Sequence, residues 1–350
     1  PNSGAIQTEI LQAIFTWQSD IFTLMGDYPQ LISSWVWDDY YERILGANAA
    51  LDYVDDANDT QEMKDFVKAQ ALGLRAFYYF NLVNLFSQPY NYDRTTPGVP
   101  LKLTSDLTTS FTDRGTVEGV YNQILKDFDE SERLFLSLPE NRQFSENYRI
   151  NLPTVQLLKA RVYLFMEDWE NAVRMADSVL RYPQFTLYDL TQFTASASNP
   201  KPHFSNYDNG ETMWHYGEMY DIYSFANMTG YPEEGTDYRK LFNASDELLA
   251  AFPEEDSLRR NLYIFDEYSD TTLMGNKLAM GKVMCDAQCN LSNASGFAMS
   301  VRLSEAYLIL AEAHAMLGNS AEALNYLNTL RAHRIPSYTE VSGISGDELI

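Results

Sequence analysis

The sequence predicts a mostly α-helical protein in which paired helices form a scaffold and one long irregular region is inserted among them. Three observations predict it. An apolar stripe runs along a long helix ending near Phe86, a helix–turn–helix pattern occurs twice at a constant offset of 151 residues, and Tyr182 to about Ser300 is rich in Asn, Asp, Gly, Pro, Tyr and Phe with little helical period.

Taken in order, a first helix is expected near Ala5–Met25 and a second over Asp38–Val54. In the third, Leu72, Ala76, Tyr79, Val83 and Phe86 alternate spacings of four and three, so they share one buried stripe. Pro89, Pro97, Gly98 and Pro100 then forbid further helix and leave Tyr90 and Tyr92 on a loop. A fourth helix opens at Thr116, whose hydroxyl can cap exposed amides, carries Glu118 in its first turn, runs through Tyr121, Ile124, Leu125, Phe128 and Leu134, and ends at Pro139.

The repeated hairpin comes next. Ala160 to Ala172, ARVYLFMEDWENA, matches Ala311 to Ala323, AEAHAMLGNSAEA: a small-residue helix breaks at a short polar turn and resumes with an alanine at the same place. Small residues let paired helices approach closely, and this is a tetratricopeptide-like pattern. With the early helices it implies about four stacked pairs. Between the hairpins, short strands are expected at Glu211–His215 and Leu278–Met280 and a short helix around Ser245–Phe252. So long an irregular stretch in a compact protein points to a functional surface or a lid.

Composition narrows the function. The 350 residues are 45% hydrophobic, enough for a sizeable core, and 25 basic against 49 acidic residues leave a formal charge of −24. Such a charge repels phosphate backbones and anionic lipid surfaces, so nucleic acid and membrane surfaces are not expected partners. It also serves plain solubility. No run of eighteen apolar residues exists to span a bilayer, and Pro1-Asn2-Ser3-Gly4 lacks the basic, apolar and small succession of a signal peptide, so the chain reads as starting mature. Cys285 and Cys289, with three residues between them in a polar loop, suit a local disulfide or a pair of free thiols better than a metal site, which needs two more ligands.

No catalytic motif emerges. There is no glycine-rich phosphate loop, no His-Glu-x-x-His and no Gly-x-Ser-x-Gly, and His203, His215, His314 and His333 lack ligand spacing. Asp38/Asp39 and Glu233/Glu234 are the nearest carboxylate pairs for glycoside hydrolysis, and both read better as solvated acidic clusters.

Aromatic side chains are the unusual feature, at 14% of the chain with 24 tyrosines. A sugar ring shows C–H bonds on one face and hydroxyls at its edge, so a flat ring with polar neighbours suits it. Rings outside the expected helices fall in three places: Trp35 and Trp37 before the second helix, Tyr90 and Tyr92 after the third, and Tyr216, Tyr220, Tyr223 and Tyr231 in the irregular middle. These eight are the candidate ligand-binding residues. Trp214 and Trp169 read as core.

Arg75-Ala76-Phe77-Tyr78-Tyr79-Phe80-Asn81-Leu82-Val83-Asn84-Leu85-Phe86, followed by Gly98-Val99-Pro100-Leu101, resembles the signature of the SusD/RagB family of surface glycan-binding lipoproteins. The segment from Val301 to Ala313, then Leu317-Gly318-Asn319 and onward to Arg331-Ala332, resembles the late helical hairpin of that family. The resemblance implies one SusD-like domain, with 1–181 as helical scaffold, 182–300 as loop-rich ligand region and 301–335 as last hairpin. It also implies a non-enzymatic binder of oligosaccharide at the cell surface, lipid-anchored to the outer membrane through a cysteine upstream of this start. Captured ligand would pass to a SusC-like TonB-dependent transporter. The family's ligand aromatics come from the segment before the second helix and from the middle loops, which agrees with the first and third groups of rings. No cofactor is implied, and calcium at the acidic loops is left open. After Gly346–Ile350 the family places a further helix and a basic segment, and that part is expected to be missing here. The rival readings are a peptide- or protein-binding helical scaffold and a helical glycoside hydrolase.

Overall fold

The computed structural model describes residues 18, 33–107, 112–193, 210–217, 245–266, 278–280 and 299–350, with backbone alone at 33–35, 262–266 and 278–280. It is mostly helical, with a few short strands. The helix expected near Ala5–Met25 and the two cysteines lie outside the described residues. Contacts divide the chain into two compact units, Pro1–Asp127 and Phe128–Ile350.

In the first unit, α1 (Ser33–Tyr53) packs along α2 (Gln61–Phe86). Thr60 caps α2, its hydroxyl accepting from the Met63 amide at 3.2 Å. The predicted stripe is the buried one, with Leu72, Ala76, Tyr79 and Val83 all 9% exposed or less. Helix α1 begins five residues before the expected Asp38, because the Trp37 ring finds packing against Phe86 and Tyr41 that a polar turn would forgo. Beyond α2, the antiparallel strands β1 (Pro97–Pro100) and β2 (Arg114–Thr116) pair through an irregular register. Gly98 is required there: a Cβ would stand 2.7 Å from the Thr116 carbonyl oxygen. Arg114 seals the corner, donating from Nε to the Gly98 carbonyl and from Nη2 to the Phe86 carbonyl at the α2 terminus.

Helix α3 (Val117–Ser137) opens as its sequence indicated, the Thr116 hydroxyl accepting from the Gly119 amide at 3.0 Å. A short α4 (Glu140–Gln143) follows Pro139.

In the second unit, the two hairpins are α5 (Leu152–Phe165) with α6 (Trp169–Leu180), and α9 (Leu303–Met316) with α10 (Ser320–Ala332). The 151-residue offset maps α5 onto α9 residue for residue. Helix α6 packs against α9, so the pairs stack into a four-helix layer. Ala160, Ala172, Ala176, Ala306, Ala313 and Ala323 are all at most 1% exposed, and their small side chains permit that approach. Even the turns repeat. Asp168 donates its amide to the Tyr163 carbonyl at 2.9 Å, and Asn319 does the same to His314 at 2.8 Å. Each turn contains one left-handed residue, Glu167 at φ 58° and Gly318 at φ 78°.

The strands here are β3 (Thr212–Tyr216), β4 (Ile264–Asp266), β5 (Leu278–Met280) and β6 (Met299–Arg302). β3 pairs antiparallel with β6 and β4 with β5. Short helices α7 (Asp246–Ala250), capped by Ser245, and α8 (Ser257–Tyr263) complete the described part.

Candidate functional site

The segment behind the sequence signature is a polar clamp in the first unit. Arg75, 7% exposed, donates from Nε and Nη2 to the two Asp127 carboxylate oxygens at 2.7 Å each and from Nη1 to Asn48 Oδ1 at 2.9 Å. Asn48 in turn donates to the Lys102 and Thr104 carbonyls. The Tyr79 hydroxyl donates to the Lys102 carbonyl and accepts from the Lys102 amide, both at 2.7 Å, and Tyr41 donates to the Pro100 carbonyl at 2.7 Å. Leu101–Thr104, just past β1, has no strand partner among the described residues. Side chains of α1 and α2 satisfy its backbone instead. Burial drives the phenols of Tyr41 and Tyr79 far above the ordinary tyrosine range. Both therefore stay protonated hydrogen-bond donors.

The corresponding device in the second unit centres on Glu211, fully buried at the start of β3. Its carboxylate lies 3.0 Å from Arg302 of β6 and 2.8 Å from Arg334 beyond α10, and it accepts from the Tyr188 amide at 2.8 Å. Burial opposes the charge. The two guanidiniums, the Ser304 hydroxyl and the Tyr188 amide outweigh it, so the Glu211 pKa falls below its ordinary value. This knot fixes β3, and Asn151 fixes it again by donating to the Met213 carbonyl at 3.0 Å.

Along β3 the side chains alternate, so Trp214 and Tyr216 share a face. Their rings stack with centroids 4.7 Å apart at 27°. Trp214 is 4% exposed and Tyr216 is half-buried at the strand end, opposite Met299, which is 50% exposed. Within electrostatic reach of the Tyr216 phenol is Arg161 of α5, paired through Nε and Nη2 with the Glu305 carboxylate of α9 at 2.5 and 2.7 Å. Burial works against the Arg161 charge, but Glu305 and the nearby Tyr216 phenol prevail and raise its pKa. Tyr216 is thus a ring braced by a buried indole and set beside a polar pair, which suits the face and the hydroxyl edge of a sugar.

The other candidate rings separate. Trp37 is half-buried, 5.0 Å from Phe86 edge-on and 4.9 Å from Tyr41, and it sits on α1 where a loop was expected. Trp35 also belongs to α1, and its side chain lies outside the described residues, as do Tyr220, Tyr223 and Tyr231. Tyr92 is 75% exposed. Tyr90, expected on the loop surface, is only 6% exposed, because its ring packs 4.7 Å from Tyr121 and the Arg94 guanidinium covers it at 4.6 Å. That ring is part of the core and is not available to a ligand. Trp169 is half-buried as the first residue of α6, less enclosed than a core reading implies.

Among the described residues there is no cluster of three or more His, Cys, Asp or Glu able to hold a metal ion, and no helix long and apolar enough to cross a membrane. Sequence reasoning passed over Arg75 and Glu211 as functional framework. The available signal for Arg75 was a lone charge embedded in an apolar run, ALGLRAFYYF.

Two family models match this chain in order and without overlap: one described as "Starch-binding associating with outer membrane" over residues 9–164, and one described as "SusD family" over residues 267–340. Both are models of SusD-type proteins, and together they match 230 of the 350 residues. The chain's relatives agree. The SusD-like protein P2 of Formosa agariphila is 26% identical over 341 residues, covering 88% of this chain and 63% of the relative, and the SusD-like protein P38 of the same organism is 26% identical over 156 residues, covering 43% and 27%. Among solved structures, a SusD-like carbohydrate binding protein from Bacteroides vulgatus superposes with a TM-score of 0.73 at 26% identity over 90% of this chain and 64% of that one. The surface glycan-binding protein A from Bacteroides uniformis superposes at 0.65 with 17% identity over 90% and 68%, a likeness of fold alone. This chain therefore spans less than two thirds of the length of both the curated relatives and the B. vulgatus structure.

Proposed function

We propose that this chain binds oligosaccharide or polysaccharide without transforming it, at the outer-membrane surface, and hands the captured ligand to a SusC-like TonB-dependent transporter. The observation that carries the reading is the Tyr216 ring, stacked on buried Trp214 and anchored through the Glu211 knot. In this reading the stacked hairpins of 1–181 and 301–335 are the frame and 182–300 carries the ligand contacts, Tyr216 with Tyr220, Tyr223 and Tyr231. Trp35, Trp37 and Tyr92 form a second set on the first unit. A family lipid anchor would hold the protein at the surface.

The reading draws support from the names of the relatives, which include a carbohydrate binding protein and a surface glycan-binding protein. Physical chemistry sets its scale. Covering one sugar face on one ring removes little apolar area, about 2–3 kcal/mol at the usual transfer coefficient, so single sugars bind weakly and affinity accumulates over several rings. Electrophoresis through gels cast with individual polysaccharides tests the proposal, with an assay for new reducing ends run alongside. Retardation by at least one polysaccharide without new reducing ends is the expected result. Turnover abolished by a single Asp or Glu substitution would replace the binder with a hydrolase.

A further inference from the structure

We infer that the saccharide taken at Tyr216 is electrically neutral, not a sulfated or uronate-rich polymer; this rests on the glycan-binding reading. An anionic glycan is recognised by guanidinium or ammonium groups that turn toward sulfate or carboxylate. Around β3, Arg161, Arg302 and Arg334 are already committed to carboxylates of the protein itself, and Arg149 of the adjoining segment lies over Tyr148 and 3.6 Å from Glu146. Arg161 is held by Glu305 in a two-point contact. Arg302 and Arg334 share Glu211. Lys159, two residues back on α5 and so turned to another face of that helix, lies 2.5 Å from Asp129 and 2.7 Å from Glu132.

A sulfate seeking Arg161, Arg302, Arg334 or Lys159 would have to displace a carboxylate already in hydrogen-bond contact, and Glu211, having no solvent exposure, would be left as an uncompensated buried charge. The longer-range field points the same way. Residues 182–300, from which the proposed ligand rings come, hold seventeen Asp and Glu against seven Lys and Arg, and the whole chain carries −24. At low salt that field repels a polyanion before contact and leaves a neutral glycan unaffected. Stacking on Tyr216 and hydrogen bonds to its polar neighbours need no ligand charge. The anchoring pairs thus serve two ends: they fix the sheet that carries the ring, and they remove the cations that would otherwise attract acidic polymers.

The test is gel retardation against two panels, with NaCl raised from about 20 mM to about 0.5 M, a range over which the Debye length shrinks several-fold. The neutral panel is starch, laminarin, xyloglucan and galactomannan; the anionic panel is alginate, polygalacturonate, carrageenan and fucoidan. The expected result is retention by a neutral polymer that changes less than about two-fold with salt, and no retention by the anionic panel. Retention by an anionic polymer that falls about ten-fold or more over the same range would overturn the inference and leave glycan binding intact. Retention by neither panel would instead remove the glycan-binding reading, and the inference with it.

Discussion

Arg75 and Asp127 meet through two parallel hydrogen bonds of 2.7 Å, with both side chains almost wholly buried. The third guanidinium nitrogen reaches Asn48, and through it the backbone of the segment after β1. Because each charge is buried against the other, removing one leaves the other without compensation. Asp127→Asn should cost about 3–5 kcal/mol by urea denaturation. The exposed Arg133–Glu130 pair provides the contrast, since Glu130→Gln should change stability by less than about 1 kcal/mol. Equal effects at the two sites would deny the clamp its role.

The turns of the two hairpins make an internal comparison. Glu167 and Gly318 occupy the same place in the repeat and both have positive φ, a conformation that disfavours any residue with a Cβ. Gly318→Ala should lose about 1 kcal/mol, whereas Glu167→Gly should be neutral or gain up to about 1 kcal/mol, as relief of backbone strain offsets the greater freedom of the unfolded chain. Thermal denaturation of both variants measures the difference. A marked loss in Glu167→Gly would mean that the side chain, not the backbone, governs that turn.

His215 supplies a pH signature. It is 1% exposed in β3, and burial, followed by the charge of Arg302, brings its pKa from 6.5 to about 4 despite a hydrogen bond that the imidazole donates to the Met299 backbone carbonyl. The folded protein therefore resists a proton that the unfolded chain accepts. The stability associated with neutral His215 is complete above about pH 6.5 and is lost as the pH falls toward 4. Glu211, with its lowered pKa, acts in the same direction at still lower pH. The Tm advantage of the native protein over His215→Gln should accordingly shrink between pH 7 and pH 4.5, followed by scanning calorimetry. An advantage that grows toward acid would contradict the assignment.

Much of this architecture was legible in the sequence because it is local. The apolar stripe of α2, the cap at Thr116, the two hairpins, the short helix after Ser245 and the strands expected at 211–215 and 278–280 each depend on residues within a turn or two of one another. The register of the hairpin repeat follows from alanines whose small size is itself the packing requirement. What escaped depends on distance. Tyr90 reads as a loop ring until Tyr121 and Arg94 enclose it, and nothing adjacent in sequence announces either partner. Arg75 meets Asp127 across 52 residues and Arg334 meets Glu211 across 123, so their roles appear only once the helices are assembled. The start of α1 was misplaced for a related reason: Trp37 gains its packing from Phe86, at the far end of the next helix.

The central claim is that a ring braced on β3 receives the sugar, and the most direct test compares Tyr216→Ala with Tyr90→Phe on a polysaccharide that retards the native protein. Titration calorimetry with that polysaccharide should show Tyr216→Ala bound at least about ten-fold more weakly, about 1.4 kcal/mol, with Tm little changed, and Tyr90→Phe bound as tightly as the native chain. Undiminished affinity in Tyr216→Ala would contradict the account.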